Sequence, residues 1–409
     1  MSTTTSRPRR VRSPQVSPPQ TSPPRADQPG DSPSAKAATP TVAPDETNAE
    51  DLLLRKLHLT RADRHPCFGQ TDGVTKGSKP IDRRAAADHV AELTSEVRRP
   101  ENRRHLPLLS RLIRRNGRTA AQFKNAPKPA AAFHTESGRT TVMRTDWSSS
   151  AAQLAIDWSQ PEMKWEFCLG SDVAMQGIAA PWVSVDGRTL DAVGEWEEVI
   201  WLSEPEADYL ELEIVLTGGT KLQRQILLSR RDGWLMVADD VRPARPAAIE
   251  CRVQLPTSPG SRLVPAADTR EAQLVCGKRK FAAVPGSLPE WRSERSTGEM
   301  TLEGDRLSVR ASTPAGAALH VPLFLNFDSR RAARELTWRR LTIGENLRIV
   351  RPDEAAGYRL QLGREHWLVY RSLTERANRT LLGINLQTDF LFARFSAEGE
   401  SEPLIEIED

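Results

Sequence analysis

Apolar and polar residues alternate strictly in a stretch near the middle of the chain, residues 208–216. A period of two is that of a β-strand with one buried and one exposed face. Gly218-Gly219 then reverses the chain, residues 221–229 run back, and Asp232-Gly233 leads into residues 234–238. The pattern predicts an antiparallel meander of half-buried strands. The alternating residues of its first strand are Leu210, Leu212, Ile214 and Leu216 on one face and Tyr209, Glu211, Glu213 and Val215 on the other.

Short segments of this kind recur throughout residues 129–409, with turn residues between them. A spacing of about 8–12 residues between strands is typical of an all-β sandwich. The spacing therefore predicts a mainly β fold class, a large antiparallel β-sandwich. Further predicted strands are 153–158, 163–169, 182–185, 196–202, 249–255, 271–276, 306–311, 319–327, 336–343, 358–362, 366–370, 389–395 and 404–407.

Two segments of different character precede the predicted sandwich. Residues 1–48 are rich in Pro, Ser and Thr and poor in aliphatic residues, which predicts a disordered tail. Residues 49–128 have helical spacing of apolar residues, for example over 82–97, with Pro100 ending that helix. The chain is thus predicted to consist of a tail (1–48), a basic helical region (49–128) and a sandwich (129–409).

Charge is divided unevenly, with basic residues in excess over 1–128 and acidic residues in excess beyond. The arginines of the helical region allow two interpretations: a patch that binds nucleic acid or another polyanion, or a solvated helix face. The second is favoured because no aromatic residue interleaves them, although nucleic acid is not excluded. These arginines are Arg98, Arg99, Arg103, Arg104, Arg111, Arg114, Arg115 and Arg118.

No sequence feature indicates a metal, a cofactor or a membrane. The four cysteines have no CxxC spacing and three of them lie in apolar runs, which favours buried thiols. No apolar run of about 18 residues exists, and the basic start is not followed by the apolar segment of a secretory signal. These observations lead us to expect a cytoplasmic protein.

Several segments resemble the C-terminal β-sandwich of the heparinase II/III-like polysaccharide lyases. Residues 137–158 contain Met143-Arg144-x-x-Trp147, similar to the strand that opens the family's sandwich. The stretches 196–214 and 220–241, with the Asp232-Gly233 turn, are similar to its paired strands, and 366–395 fits a tail that we associate with the same group. The resemblance covers residues 137–409 and implies a supersandwich-like fold and a polysaccharide-related role.

The resemblance does not extend to the family's catalytic residues. In active members a Tyr and an Arg or Asn lie on an α/α toroid, and the sandwich supplies a His soon after its opening strand. Roughly 80 residues outside the tail precede the sandwich here, and residues 164–178 contain no His. We therefore expect a non-catalytic or catalytically reduced relative that binds an acidic polysaccharide. The alternatives are a lyase completed by a partner chain, and an interaction protein whose basic arm binds nucleic acid or an acidic protein.

The remaining candidate site residues are few. On a strand, His366 and Tyr370 share a face, with Arg364 nearby, and these three residues could imitate the acid–base groups of a lyase. Packing at the rim of the sandwich is the competing interpretation, and His320, in an apolar run, is expected to be a buried or edge residue. Candidates for stacking on sugar rings through partly exposed indoles are Trp182, Trp196, Trp201 and Trp291.

Overall fold

Strands dominate the computed structural model, which describes residues 49–68, 83–113, 129–332, 334–396 and 399–408. Strands make up 53% of the described part of the chain and helices 12%, and the sheets are antiparallel, so the predicted fold class is confirmed. The predicted tail, 1–48, lies outside the described residues, as do Arg114, Arg115 and Arg118. All the described residues belong to one unit, Glu46–Asp409.

Three sheets form the larger part of the molecule, and each is antiparallel throughout. The first has five strands in chain order: β1 Phe133–Thr135, β2 Thr140–Arg144, β3 Ala152–Asp157, β4 Met163–Leu169 and β5 Asp172–Ala179. The second has eight, in spatial order β13 Arg262–Pro265, β14 Ala272–Cys276, β15 Arg279–Pro285, β18 Leu319–Asn326, β11 Trp234–Arg242, β10 Thr220–Ser229, β9 Ala207–Leu216 and β8 Glu197–Ser203. The third is β16 Glu299–Glu303, β17 Arg306–Gly316, β12 Ala247–Pro256, β6 Trp182–Val185 and β7 Arg188–Thr189.

Two smaller sheets are built from the C-terminal part of the chain. The fourth sheet is β19 Leu336–Arg340, β22 Ala355–Leu362, β23 Glu365–Ser372, β26 Phe390–Phe395 and β27 Ser401–Ile407. The fifth is β21 Arg348–Ile349, β20 Ile343–Glu345, β24 Arg379–Leu381 and β25 Ile384–Leu386. The predicted strand 336–343 is therefore two strands in different sheets, separated by a bend after Arg340.

Apolar residues from these sheets form three stacked cores. One face of the eight-stranded sheet packs with the first and third sheets, and its other face packs with the fourth. The fourth sheet in turn packs with the fifth. The central strands β9, β10, β11 and β18 are thus buried on both faces, and the prediction that the strands of this meander are half-buried is wrong for them. Tyr209 lies in the second core, and Glu211 is buried beside it because it forms an ion pair.

The helical region packs against the first sheet through a small apolar cluster that includes Trp147. Arg144 on β2 donates hydrogen bonds to the carbonyl oxygens of His58 (2.6 Å) and Thr60 (2.7 Å). The Phe68 amide donates to Glu166 on β4 at 2.9 Å. The helices of this region are α1 Ala49–His58, α2 Arg83–Arg98, the 3₁₀ turn Pro100–His105 and α3 Leu106–Ile113.

The β20–β21 hairpin carries an unfavourable turn residue. Asn346 and Leu347 have φ values of +47° and +64°, a conformation that favours Gly or Asn, and the Leu347 side chain is fully exposed. Leu347→Gly is expected to raise the free energy of unfolding by about 0.5–1 kcal/mol, because no packing is lost and the strain is relieved. Chemical denaturation measures the gain. Leu347→Ala retains Cβ and is the control; an equal gain in that variant would contradict the explanation.

Candidate functional site

A groove opens where the edge of the third sheet meets the fourth. It consists of two clefts of about 460 Å³ and 440 Å³, which share Ser287, Leu288, Pro289 and Arg340 as lining residues. Residues 287–297, between β15 and β16, form one wall. The opposite wall comes from Arg340 at the end of β19 and from residues 351–353. His320 lines only the first cleft and Trp291 only the second, so Arg340 lies between them.

His320 is fixed by its neighbour in the eight-stranded sheet. The sheet register places it opposite Asp240 on β11, and its Nδ1 lies 2.5 Å from Asp240 Oδ1. Burial by itself would raise the pKa of Asp240, but Arg371 and His320 hold that pKa well below its usual value. Because Asp240 is ionised, the ring proton is on Nδ1. Nε2 is buried and has no hydrogen-bond partner among the described residues.

A buried network of charges lies behind this pair. Arg371 on β23 donates through Nε to Asp240 (2.7 Å), and through Nη1 (3.0 Å) and Nη2 (2.5 Å) to Glu211 on β9. Tyr209 donates to Glu211 at 2.6 Å, and Gln225 donates to Asp240 at 2.6 Å. Because every member has a partner, the network can hold the His320 ring in one orientation.

Arginine side chains give the groove a positive rim. Arg295 and Arg340 are exposed and form no ion pair with any described residue. Arg351 is paired with Asp353, through its Nε at 3.1 Å and its Nη2 at 3.3 Å. Two of the three arginines in the first cleft are therefore available to an anionic ligand. The planar guanidinium can bind a carboxylate or a sulfate through two parallel hydrogen bonds.

Trp291 provides an aromatic surface at the other end of the groove, where 44% of the residue is exposed. Its backbone is fixed by hydrogen bonds on either side: the amide of Arg270 donates to the Glu290 carbonyl (2.9 Å), and the amide of Arg292 donates to the Asp268 carbonyl (2.8 Å). The indole can therefore be presented without a large ordering cost. Trp291 is the one predicted tryptophan that the structure places in this groove.

The other three tryptophans lie elsewhere. Trp182 is half-buried, with the Arg252 guanidinium 3.9 Å from its ring centroid. Trp201 is stacked on His134 at 4.8 Å. Trp196 is 1% exposed and donates a hydrogen bond to the Pro161 carbonyl, so the expected partial exposure is wrong for this residue. Its indole fills the first core, and a role in stacking on sugars stays a prediction for the other two.

The structure does not bring the predicted His366 and Tyr370 together. They share a face of β23, but four residues along a strand separate them by about 13 Å. Tyr370 is buried in the third core, where its hydroxyl accepts from Arg379 at 3.1 Å. His366 and Arg364 line a separate cleft that also contains Asp232. As an acid–base pair His366 and Tyr370 are therefore too far apart.

Within the described residues, no cluster of three or more His, Cys, Asp or Glu side chains could hold a metal ion. All four cysteines are buried and free, and burial was expected for the three in apolar runs, Cys168, Cys251 and Cys276. No described helix has both the length and the apolar character needed to cross a membrane. Among the arginines of the helical region, Arg98, Arg99, Arg103 and Arg104 are exposed; that they bind a polyanion stays a prediction.

No protein-family model matches the chain, and no curated protein is similar to it in sequence. Among solved structures, heparan sulfate lyase HepC from Pedobacter heparinus is similar over 78% of this chain, with 12% identity and a TM-score of 0.52. Two further solved structures also match. A heparinase III gene product has 12% identity over 67% of this chain and 48% of its own, with a TM-score of 0.43. A heparinase III has 9% identity over 60% of this chain and 43% of its own, with a TM-score of 0.41.

The similarity to the Pedobacter enzyme covers 51% of that enzyme's chain, so this protein spans about half its length. At 12% identity the match concerns the fold alone. It includes the β-sandwich portion, where the sequence motifs also showed the resemblance. The β-sandwich of this chain is thus similar in fold to part of this heparan sulfate lyase.

Proposed function

We propose that the protein has a polysaccharide-related role and binds an acidic polysaccharide along the groove between His320 and Trp291. The observation that carries the proposal is the pair of unpartnered arginines, Arg295 and Arg340, at a groove with an exposed indole. Charge-assisted hydrogen bonds from arginine suit carboxylate and sulfate groups, and an aromatic face suits the apolar face of a sugar ring. The distant similarity to the fold of a heparan sulfate lyase supports the same ligand class.

The proposed role is binding without autonomous cleavage. Elimination at a uronate needs a base, a donor for the leaving oxygen and a group that neutralises the carboxylate. Among the described residues, no tyrosine lines either cleft, and His320 is the only histidine that does. A partner chain that supplies the missing donor would convert the same groove into a lyase site. Incubation with heparin or alginate should therefore release no unsaturated uronate from the isolated protein.

Arg340→Ala is expected to weaken the binding of heparin oligosaccharides about five- to tenfold, because it removes a cation shared by both clefts. Calorimetric titration at low and high salt measures the affinity, and the difference between wild type and variant should shrink at high salt. Arg262→Ala is the matched control: Arg262 is also exposed, forms no ion pair with a described residue and does not line the groove. Equal losses in the two variants would show that binding depends on net charge rather than on the groove.

A further inference from the structure

We propose that His320 selects an anionic substituent of the ligand, by donating a hydrogen bond from Nε2 to a carboxylate or sulfate on the floor of the groove. This inference rests on the proposed function and adds to it the residue that discriminates charge. The rim arginines can attract any polyanion, whereas a buried donor at a fixed position recognises a single group in a single orientation.

The first support is the position of Nε2. Only 2% of the His320 side chain is exposed, the residue lines the first cleft, and Nε2 has no described hydrogen-bond partner. Buried polar atoms without partners are uncommon because their loss of hydration is not compensated. A ligand group in the cleft would supply the missing partner.

The second support is the fixed position of the ring. Asp240 holds Nδ1 from one side, and the Tyr358 ring lies 5.8 Å away between centroids. Because Asp240 is itself held by Arg371 and Gln225, the imidazole cannot turn to satisfy Nε2 elsewhere without breaking a buried hydrogen bond. The site is therefore organised before the ligand arrives.

The third support is the charge around the cleft. A neutral imidazole with its proton on Nδ1 offers an acceptor at Nε2, which would suit a sugar hydroxyl. Donation from Nε2 to an anion while Nδ1 donates to Asp240 uses the imidazolium form, which carries a proton on both nitrogens. The other ionisable groups lining the first cleft are Arg295, Arg340, Arg351 and Asp353, so cations outnumber the single carboxylate. These cations favour an anionic group over a hydroxyl.

Two substitutions separate the two ring nitrogens. His320→Asn retains a donor near the Nδ1 position for Asp240 and removes the outward donor. His320→Gln retains an outward amide near the Nε2 position and loses the contact with Asp240. Affinities are measured for a heparin hexasaccharide, which carries sulfate and carboxylate, for an oligogalacturonate, which carries only carboxylate, and for a neutral cello-oligosaccharide.

The expected result is a loss of tenfold or more for the anionic ligands in His320→Asn, and of threefold or less in His320→Gln, with any weak binding of the neutral ligand unchanged. A loss with both anionic ligands assigns the carboxylate to Nε2, and a loss with heparin alone assigns the sulfate. Thermal unfolding of each variant reports separately on its folding.

Three results would overturn the inference. Equal weakening by both substitutions, in parallel with lower thermal stability, would make His320 a purely structural residue. Equal weakening of the neutral ligand would make Nε2 an acceptor for a hydroxyl. If His320→Asn binds the anionic ligands as tightly as the wild type, while Arg340→Ala is weakened as expected, the role of His320 is refuted and the proposed function stands. If the wild type binds neither anionic ligand, the proposed function fails as well.

Discussion

Replacing Arg371 by leucine is expected to lower the free energy of unfolding by about 3–5 kcal/mol, the range found when one partner of a buried ion pair is removed. Arg371 is buried and bridges two carboxylates, Glu211 and Asp240, that are themselves buried. Without the guanidinium, Glu211 would lose its cation, and Asp240 would rely on His320 and the more distant Arg242. The leucine would fill part of the volume but satisfy none of these oxygens. Urea denaturation measures the loss.

Arg376→Leu is the matched control for this substitution, because Arg376 is exposed and unpaired among the described residues. Its effect should stay within about 0.5 kcal/mol. Adding Glu211→Gln to Arg371→Leu should restore part of the lost stability, since the second change removes the uncompensated charge. A loss below 1 kcal/mol in Arg371→Leu, or no recovery in the double variant, would show that water or relaxation already screens this site.

Lowering the pH from 6.5 to 4 is expected to destabilise the protein by roughly 3 kcal/mol through His58 alone. Burial, with the nearby charges of Arg144 and His105, lowers the pKa of His58 from 6.5 to about 3. The unfolded histidine therefore binds its proton at a higher pH than the folded one, and stability falls as the pH falls through this window. Above pH 6.5 neither state binds the proton, and the contribution disappears.

His58→Phe isolates this contribution from the carboxylates that also titrate in acid. The ring of His58 is stacked on Phe133 at 5.1 Å and lies edge-on to Trp147 at 5.2 Å, and its Nδ1 has no described partner, so phenylalanine should fit. Unfolding is followed in urea at pH 7, 6, 5 and 4 for both proteins. The variant should lose about 3 kcal/mol less than the wild type over this range. If the free energy of unfolding falls equally with pH in the two proteins, His58 is protonated in the folded protein without a loss of stability.

Period-two alternation and turn residues were sufficient to predict the fold class and many of the strands. The first core follows this rule: Leu210, Leu212 and Ile214 face it from a single strand. Alternation could not show that the fourth sheet covers the other face of the eight-stranded sheet. Tyr209 and Glu211 are compatible with an exposed face, but the fourth sheet covers that face, and Glu211 is accommodated there by its ion pair with Arg371, 160 residues away.

The candidate site was harder to predict because it is assembled from distant loops and strand ends. Trp291 was identified from its residue type, whereas the arginines of the groove lie in segments of ordinary composition. His320 was assigned to the sandwich core or edge, which is correct for its burial and incomplete for Nε2. The available signal was a charged residue inside each of three apolar runs, at Asp240, His320 and Arg371. Such residues need partners, but the sequence does not say which.

The buried network also constrains how the chain reaches its native state. Arg371 is 131 residues from Asp240 and 160 from Glu211, and His320 is 80 residues from Asp240. Contacts this far apart in sequence close large loops, and folds that depend on them form slowly. The eight-stranded and fourth sheets must dock before Arg371 can pair, so the network forms late and slows unfolding more than it speeds folding. The groove beside His320 would accordingly be among the last parts of the molecule to become organised.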